Sequence, residues 1–447
     1  MKRSIRKIAL INPKTPLQKE NPRIYEMFRR NSDRLKPWLA PPLNLLTIAA
    51  LTPPEIEVRV IDEHYENIDF DQEYDIVGLT AMTQQAFRAY EIAAVYRKKN
   101  IPVVMGGIHA SVLPAETLEN VDTIFIGEAE DLWKNFLDDF ANGKEKHIYQ
   151  CEVHYDLGNA PVPRYDLINF DAFRDSDHYF NYIPVQATRG CPHDCSFCVV
   201  SKFYGKKIRK KSVAHIVREI EYLQRFNNDS LILFADDNLF VDKRFAKELL
   251  KALIPLKIKY FAQSDISLAT DDELLDLAYR SGCQIAFIGF ESLRAGSLEE
   301  INRNHWKMNQ VENYEKSILK IQEHGIVAFG AFVFGFRNDD LSTFDEIREF
   351  TIRNNIPGQF TIATPLPGSD LYKKLKQEGS LFSNVFWNQC SFYNLHFRHE
   401  KMTKEEAEES LIQLYETVFN EENSLKRFLH MKNMYKRLPQ RWKAEVE

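Results

Sequence analysis

The chain has 447 residues, 44% of them hydrophobic and 27% charged, with a formal net charge of −6. That length exceeds a single core and predicts two or three domains, and so small a charge gives no reason to expect a nucleic-acid partner. The longest nearly unbroken apolar run, residues 326–336, falls far short of the roughly 18–20 residues that cross a bilayer, so no transmembrane segment is expected. Six cysteines in so long a chain are no disulfide framework, and a reducing cytoplasm is the expected setting. Cys151, Cys283 and Cys390 are scattered and are expected to be buried small side chains.

In chain order, the N-terminus reads as a first strand and not as a signal peptide. Strands are predicted at 7–13, 56–63, 74–82, 101–109 and 121–130, with helices over 84–100 and 130–143. Short apolar strands alternating with helices imply a parallel, doubly wound α/β domain over 1–145, with ligands beyond the carboxyl ends of its strands. Residues 146–182 have weak periodicity and are expected to be a linker. A second alternating region, 183–380, has strands near 183–189, 230–236, 258–266, 284–291, 327–335 and 358–364. Helices are predicted at 213–226, 241–254, 270–282, 311–324, 341–355 and 369–378. Six such units make an open, partial barrel with its chemistry at the strand ends. The remainder, 381–447, is expected to be mostly helical, with an aromatic segment at 382–397 and one long amphipathic helix over 403–430. Those two features are expected to frame a substrate mouth. The basic tail (Lys426, Arg427, Lys432, Lys436, Arg437, Arg441) reads as a solvated helix face or as a contact for a membrane surface or an acidic partner.

The densest chemistry lies in "RGCPHDCSFCVV", residues 189–200, where Cys191, Cys195 and Cys198 are spaced C-x3-C-x2-C. A structural zinc site places close cysteine pairs at separate points in the sequence. Three thiolates suit a [4Fe–4S] cluster with one iron left open. His193 lies between two of the cysteines, an awkward position for a fourth ligand, and is expected to be an exposed loop residue.

This spacing, with Phe197 as the aromatic before the last cysteine, resembles the signature of the radical S-adenosylmethionine superfamily. The resemblance implies that S-adenosylmethionine chelates the open iron and that reductive cleavage yields a 5′-deoxyadenosyl radical. It extends to the strand ends. "LFADDNL" places Asp236 and Asp237 where the family binds the methionine amino group, though the usual glycines are absent. "GFES" places Glu291 and Ser292 where methionine or ribose is met, Gln263 ends the third strand, and Pro365, Leu366 and Gly368 lie where backbone meets adenine.

The first domain resembles the cobalamin-binding domain that precedes the radical domain in one large subfamily. That subfamily includes the anaerobic magnesium-protoporphyrin monomethyl ester cyclases, the hopanoid methylases and other cobalamin-dependent methyltransferases. The matching stretches are 41–51, 75–93, 103–116 and 126–130. They make Thr80, Met82, Thr83, Gly106, Gly107, His109, Ser111, Gly127 and Glu128 the candidate cobalamin-binding residues. Gly106 and Gly107 follow a strand and allow a large planar ligand to approach the backbone. Corrinoid domains with D-x-H-x-x-G after the first strand use its histidine as the lower cobalt ligand, but this chain has "INPKTP" there. "DEHYEN" at 62–67 follows the second strand instead, so His64 is expected to sit in a surface turn and cobalamin to bind base-off.

The resemblance implies a radical S-adenosylmethionine- and cobalamin-dependent methyltransferase acting on an unactivated carbon of a small-molecule or lipid-like substrate. An external electron donor such as flavodoxin or ferredoxin would reduce the cluster. A radical cyclase, oxidoreductase or carbon–carbon coupling enzyme without methyl transfer is the alternative. A corrinoid- or redox-sensing binding protein is the third.

Overall fold

The computed structural model describes residues 3–31, 38–174, 180–226, 231–301, 305–440 and 442. Its strands, in chain order, begin with β1 (Lys7–Asn12), β2 (Trp38–Leu39), β3 (Glu57–Asp62), β4 (Ile76–Thr80), β5 (Val103–Gly106), β6 (Thr123–Ile126) and β7 (Ile148–Gln150). There follow β8 (Phe180–Val185), β9 (Thr188–Arg189), β10 (Arg209–Lys210), β11 (Leu231–Phe234), β12 (Tyr260–Ser264), β13 (Cys283–Glu291), β14 (Val327–Phe334) and β15 (Gly358–Ile362).

The first sheet runs β3-β1-β4-β5-β6-β7 and is parallel throughout. Successive residues of β1 feed opposite faces: Ala9 and Ile11 pack with Val77, Leu79, Ile92 and Tyr96, whereas Ile8 and Leu10 pack with Ile76, Phe125, Trp133 and Phe136. Burial on both sides is why these strands read as continuous apolar runs. From β1 the chain leaves to one side for β3 and returns to the other for β4. The crevice beyond their carboxyl ends is therefore the switch point at which such sheets bind ligands.

The second sheet runs β15-β14-β13-β12-β11-β8-β2. Six of these strands follow the chain order of the expected partial barrel. The seventh is the short β2, which comes from the first half of the chain and pairs in parallel with β8, Trp38 opposite Phe180. Two residues beside Pro41 and Pro42 offer no periodicity to read. The open edge at β15 is closed by the C-terminal region: the Tyr415 hydroxyl donates to the Phe360 carbonyl (2.9 Å) and accepts from the Phe360 amide (3.0 Å). A bare edge strand is thereby removed from solvent.

Two expectations need correction. Residues 146–182 contain β7, the sixth strand of the first sheet, and the start of β8. They also contain the fully buried Tyr165, whose hydroxyl donates to Glu219 (2.8 Å) and to the Pro184 carbonyl (2.9 Å). The amphipathic stretch 403–430 is two helices, Lys404–Val418 and Glu421–Arg437. The first opens with a capping box between Thr403 and Glu406. The second starts afresh because the Asn420 side chain accepts from the Asn423 amide (2.8 Å). Among the described residues no helix is long and apolar enough to cross a membrane.

Candidate functional site

The cysteine loop leaves β9 through Gly190, whose φ of 101° suits glycine and where a Cβ would stand 2.5 Å from the Lys207 carbonyl oxygen. The amide of Cys191 then donates to the Gly205 carbonyl (3.3 Å), that of Ser196 to Ile301 (2.9 Å) and that of Cys198 to Cys195 (3.0 Å). Cys191, Cys195 and Cys198 are partly buried and none is in a disulfide. Burial pushes the Cys191 and Cys198 thiols up to about 12, and the charge of Cys195 beside them adds to the rise. Three mutually close thiols fit the donor chemistry of an iron–sulfur cluster. Among the described residues, no three His, Cys, Asp or Glu side chains converge on a single metal ion.

His193 is not the exposed loop residue expected. Its Nε2 lies 2.9 Å from Asp265 Oδ2 and its ring centroid 4.9 Å from that of Trp306, because the loop packs down on the segment after Ile301. Burial works against the Asp265 charge, yet the His193 and Ser267 hydrogen bonds hold its carboxyl at about 2.

The two aspartates after β11 stand under this loop. Asp236 is fully buried, accepts from the amides of Ala187 (3.1 Å) and Thr188, and is pushed up by burial to about 7. It braces the backbone that leads into the cysteines and, contrary to expectation, presents no atom to a ligand. Asp237 accepts from the Gly190 amide (3.2 Å) and is raised by burial to about 6. Phe197 is half-buried, its ring 6.0 Å from Phe336. Gln263 is half-buried, level with Phe287 across the sheet.

Glu291, held in the left-handed region at φ 65°, pairs with Lys307 Nζ at 2.8 Å, and that ammonium also donates to the Gly289 carbonyl (2.7 Å). The sequence reading missed Lys307: it lies in an irregular stretch and follows no motif. Ser292 is buried, and its hydroxyl accepts from the Arg294 amide (3.1 Å), so it shapes a turn and does not face a ligand as expected. The loop with Pro365, Leu366 and Gly368 reaches the first domain. A Cβ on Gly368, φ 90°, would lie 2.8 Å from Val112 Cγ1, and Leu366, like Phe87 and Leu113 of the first domain, packs against the cluster of Tyr372, Phe386, Trp387 and Cys390.

A cavity of about 1360 Å³ opens between the two sheets. Asn12, Thr80, Met82, Gly106, Gly107 and Gly127 line it from the first domain, Arg189 and Tyr204 from the cysteine loop, Phe329 and Gln359 from the barrel, and Tyr393 and Tyr415 from the C-terminal region. Met82 is 44% exposed, an apolar side chain presented to this space. At Gly107, φ 96°, a Cβ would stand 2.9 Å from the Ala81 carbonyl oxygen and 3.0 Å from Thr80 Oγ1. The Ser111 hydroxyl donates to the Gly107 carbonyl (2.9 Å) and accepts from the Gly127 amide (2.9 Å), tying the two glycine turns together. A bare backbone cradle of this kind fits a large planar ligand such as a corrin.

Four expectations for this rim are revised. Thr83 is buried and does not line the cavity. His109 is fully buried behind it, Nε2 2.8 Å from the Tyr90 hydroxyl, because the short helix after Gly107 turns its ring inward. His64 sits in the turn after β3, as expected, and lines the cavity, but its side chain is buried: Nδ1 lies 2.7 Å from Asp62 Oδ1, and Nε2 accepts from the Thr15 amide (3.1 Å). Both ring nitrogens are engaged within the protein. Glu128 borders the cavity, but its carboxylate is spent across the domain junction: Oε1 meets Arg189 (2.7 Å) and Arg209 (2.8 Å), and Oε2 meets His154 (3.0 Å). Burial opposes its charge, but those arginines outweigh it and hold the carboxyl below the usual range. Glu128→Ala leaves Arg209 with a buried, unneutralised charge while Glu130 still holds Arg189 at 2.6 Å. A loss of about 3 kcal/mol in urea unfolding is expected.

The radical SAM superfamily profile matches residues 185–351, and the B12 binding domain profile matches 39–137. Bacteriochlorophyllide d C-8(2)-methyltransferase of Chlorobaculum tepidum is 32% identical over 375 residues, 82% of each chain. Bacteriochlorophyllide d C-12(1)-methyltransferase of the same organism is 29% identical over 395 residues, 86% of this chain and 84% of that one. Among solved structures, the radical S-adenosylmethionine methyltransferase TsrM of Kitasatospora setae shares the fold. It has a TM-score of 0.69 and 15% identity, and the match covers 97% of this chain and 99% of that one.

Proposed function

The chain belongs to the cobalamin-dependent methyltransferases of the radical S-adenosylmethionine superfamily, and on that premise we propose that it methylates an unactivated carbon of a hydrophobic, ring-bearing substrate. One observation carries the reading: a single cavity of about 1360 Å³ is walled by the glycine cradle, the end of the cysteine loop and the aromatic face of the barrel. On that face Phe261, Phe287 and Phe329 succeed one another on adjacent strands, with ring centroids 5.8 and 5.6 Å apart. Phe329 opens directly into the cavity. Phe261 is buried behind the row, so it is Phe329, stacked on Phe287, that offers a ring to a planar apolar molecule. The two relatives named above act on bacteriochlorophyllide d, a molecule of that kind.

When bound, the cluster and S-adenosylmethionine supply a 5′-deoxyadenosyl radical and the corrinoid supplies a methyl group. The chain's own residues position these groups. Cys191, Cys195 and Cys198 ligate the cluster, while Asp236 and Asp237 fix the loop that carries them. Phe197, Gln263, Glu291 and the 365–368 loop would border the S-adenosylmethionine space, with Lys307 paired to Glu291. Gly106, Gly107 and Gly127, with Thr80 and Met82, receive the corrin. With no histidine after β1 and both nitrogens of His64 engaged, neither position would offer a histidine ligand to the cobalt. An external flavodoxin- or ferredoxin-type protein in the cytoplasm supplies electrons.

The test is an anaerobic assay of the cluster- and cobalamin-loaded enzyme with dithionite, S-adenosylmethionine and a panel of chlorins and other ring-bearing lipids. Formation of methylated product with both 5′-deoxyadenosine and S-adenosylhomocysteine is expected. Product with 5′-deoxyadenosine but no S-adenosylhomocysteine overturns methyl transfer in favour of a cyclase or coupling reaction.

A further inference from the structure

At the β15 edge of the barrel, three elements distant in sequence meet beside the cavity. The helix Pro22–Arg30 brings Phe28, the loop 390–393 brings Tyr393, and the helix Lys404–Val418 brings Tyr415. Their ring centroids are 5.7 Å (Phe28 to Tyr393), 5.9 Å (Phe28 to Tyr415) and 6.3 Å (Tyr393 to Tyr415) apart. Tyr415 also holds both backbone groups of Phe360, and the Ile362 amide donates to the Phe392 carbonyl (2.7 Å). Ring packing and the backbone of β15 thus fix this corner of the cavity.

Next to the fixed groups stand three side chains that the fold does not use. Tyr25 is one helical turn before Phe28, Phe392 precedes Tyr393, and Gln359 precedes Phe360. All three are half-buried and line the cavity. Along β15 Gly358, Phe360 and Ile362 are buried, so alternation puts Gln359 on the other face of the strand. Among the described residues neither the Tyr25 hydroxyl nor the Gln359 side-chain amide has a hydrogen-bond partner. The Phe392 ring packs in none of the apolar clusters. Its φ of 67° is a left-handed conformation that a bulky side chain adopts only at a cost in stability. That strain holds the ring at the cavity and out of the core.

A few polar groups converging on an otherwise apolar pocket are what orients a bound ligand. We propose that Tyr25, Gln359 and Phe392 recognise the substrate, and that it is a planar ring system with an oxygen acceptor on its rim. The Gln359 amide and the Tyr25 hydroxyl donate to that oxygen, and the Phe392 ring covers the apolar face beside it. This rests on the proposed methylation of a ring-bearing substrate and adds what the rim of that substrate carries.

The test is equilibrium binding of two chlorins to the cluster- and cobalamin-loaded enzyme, read without turnover by quenching of chlorin fluorescence. One chlorin has a rim ketone, and in the other that ketone is replaced by a methylene. The unaltered enzyme is expected to bind the ketone about tenfold more tightly. Gln359→Leu should bind the two nearly alike, and Tyr25→Phe should narrow the difference by about threefold. Phe392→Gly should weaken both by about tenfold. Its Tm should be unchanged or raised, because glycine takes this φ without strain. A merely structural Phe392 would do the reverse, lowering Tm and leaving affinity as it was. Unchanged iron and corrinoid contents show that the variants fold. If all three variants bind the ketone as tightly as the unaltered enzyme, this assignment is overturned and methyl transfer stands. Equal binding of the two chlorins by the unaltered enzyme also overturns it. If the unaltered enzyme binds neither chlorin, the ring-bearing substrate itself is overturned, and this assignment with it.

Discussion

Cys195→Ala yields a folded protein whose iron content after anaerobic reconstitution falls from about four per chain to near zero. It releases no 5′-deoxyadenosine with dithionite and S-adenosylmethionine. Cys195 is the middle member of the trio, in a loop fixed from both sides: Ser196 is held by Ile301, and Gly190 by Asp237. The substitution therefore removes a thiol without releasing the backbone around it. The control is Cys283→Ala. Cys283 is fully buried at the start of β13, where burial pushes its thiol up to about 12, and it should affect stability and leave iron content unchanged. Equal loss of iron in both variants sinks the ligand assignment. His193→Ala should keep its iron but loosen the loop, because the bond to Asp265 and the ring contact with Trp306 are lost together. A fall of about 1 kcal/mol in unfolding free energy is expected.

Gly107→Val removes the corrinoid and spares the cluster. The position combines a positive φ, which a β-branched side chain avoids, with two atoms at 2.9 and 3.0 Å from where the new Cβ would stand. One of those atoms is the Ala81 carbonyl oxygen, which cannot rotate away, so the turn itself must open into the cavity. A distortion of about 2 kcal/mol corresponds to roughly thirtyfold weaker cobalamin binding. Visible-absorption titration of the corrinoid checks this. Iron content and slow, substrate-independent release of 5′-deoxyadenosine should persist, since the cysteine loop joins β9 and β10, which pair with each other and not with the first sheet. Normal corrinoid affinity in Gly107→Val would mean that the cradle is not where the cofactor rests.

Local pattern made the strand–helix alternation legible because the first sheet is buried on two faces and the strands of the second alternate buried and half-buried residues, and the cysteine spacing is a local signature as well. What escaped was decided by contacts distant in sequence. His193 and Asp265 are 72 residues apart, and no periodicity links them. Asp236 occupies the expected strand end, but whether its carboxylate points at a ligand or at the amides of Ala187 and Thr188 depends on how β9 passes over it. Glu128 sits in a stretch that resembles a corrinoid motif, yet Arg189 and Arg209 claim its charge from the other half of the chain. Lys307 could have been suspected only as the partner that a buried Glu291 requires.

The short strand β2 has a consequence for engineering. Because Trp38 and Leu39 belong to the second sheet while β1 and β3 on either side of them belong to the first, the chain is interleaved and not strung as beads. A chimera that exchanges the N-terminal half of this protein for that of a relative, cut near residue 145, would carry away one strand of the recipient's barrel. Successful grafts will have to treat residues 38–39 as part of the C-terminal half. Homologous recombination between such proteins faces the same restriction, so the two halves are expected to be inherited together.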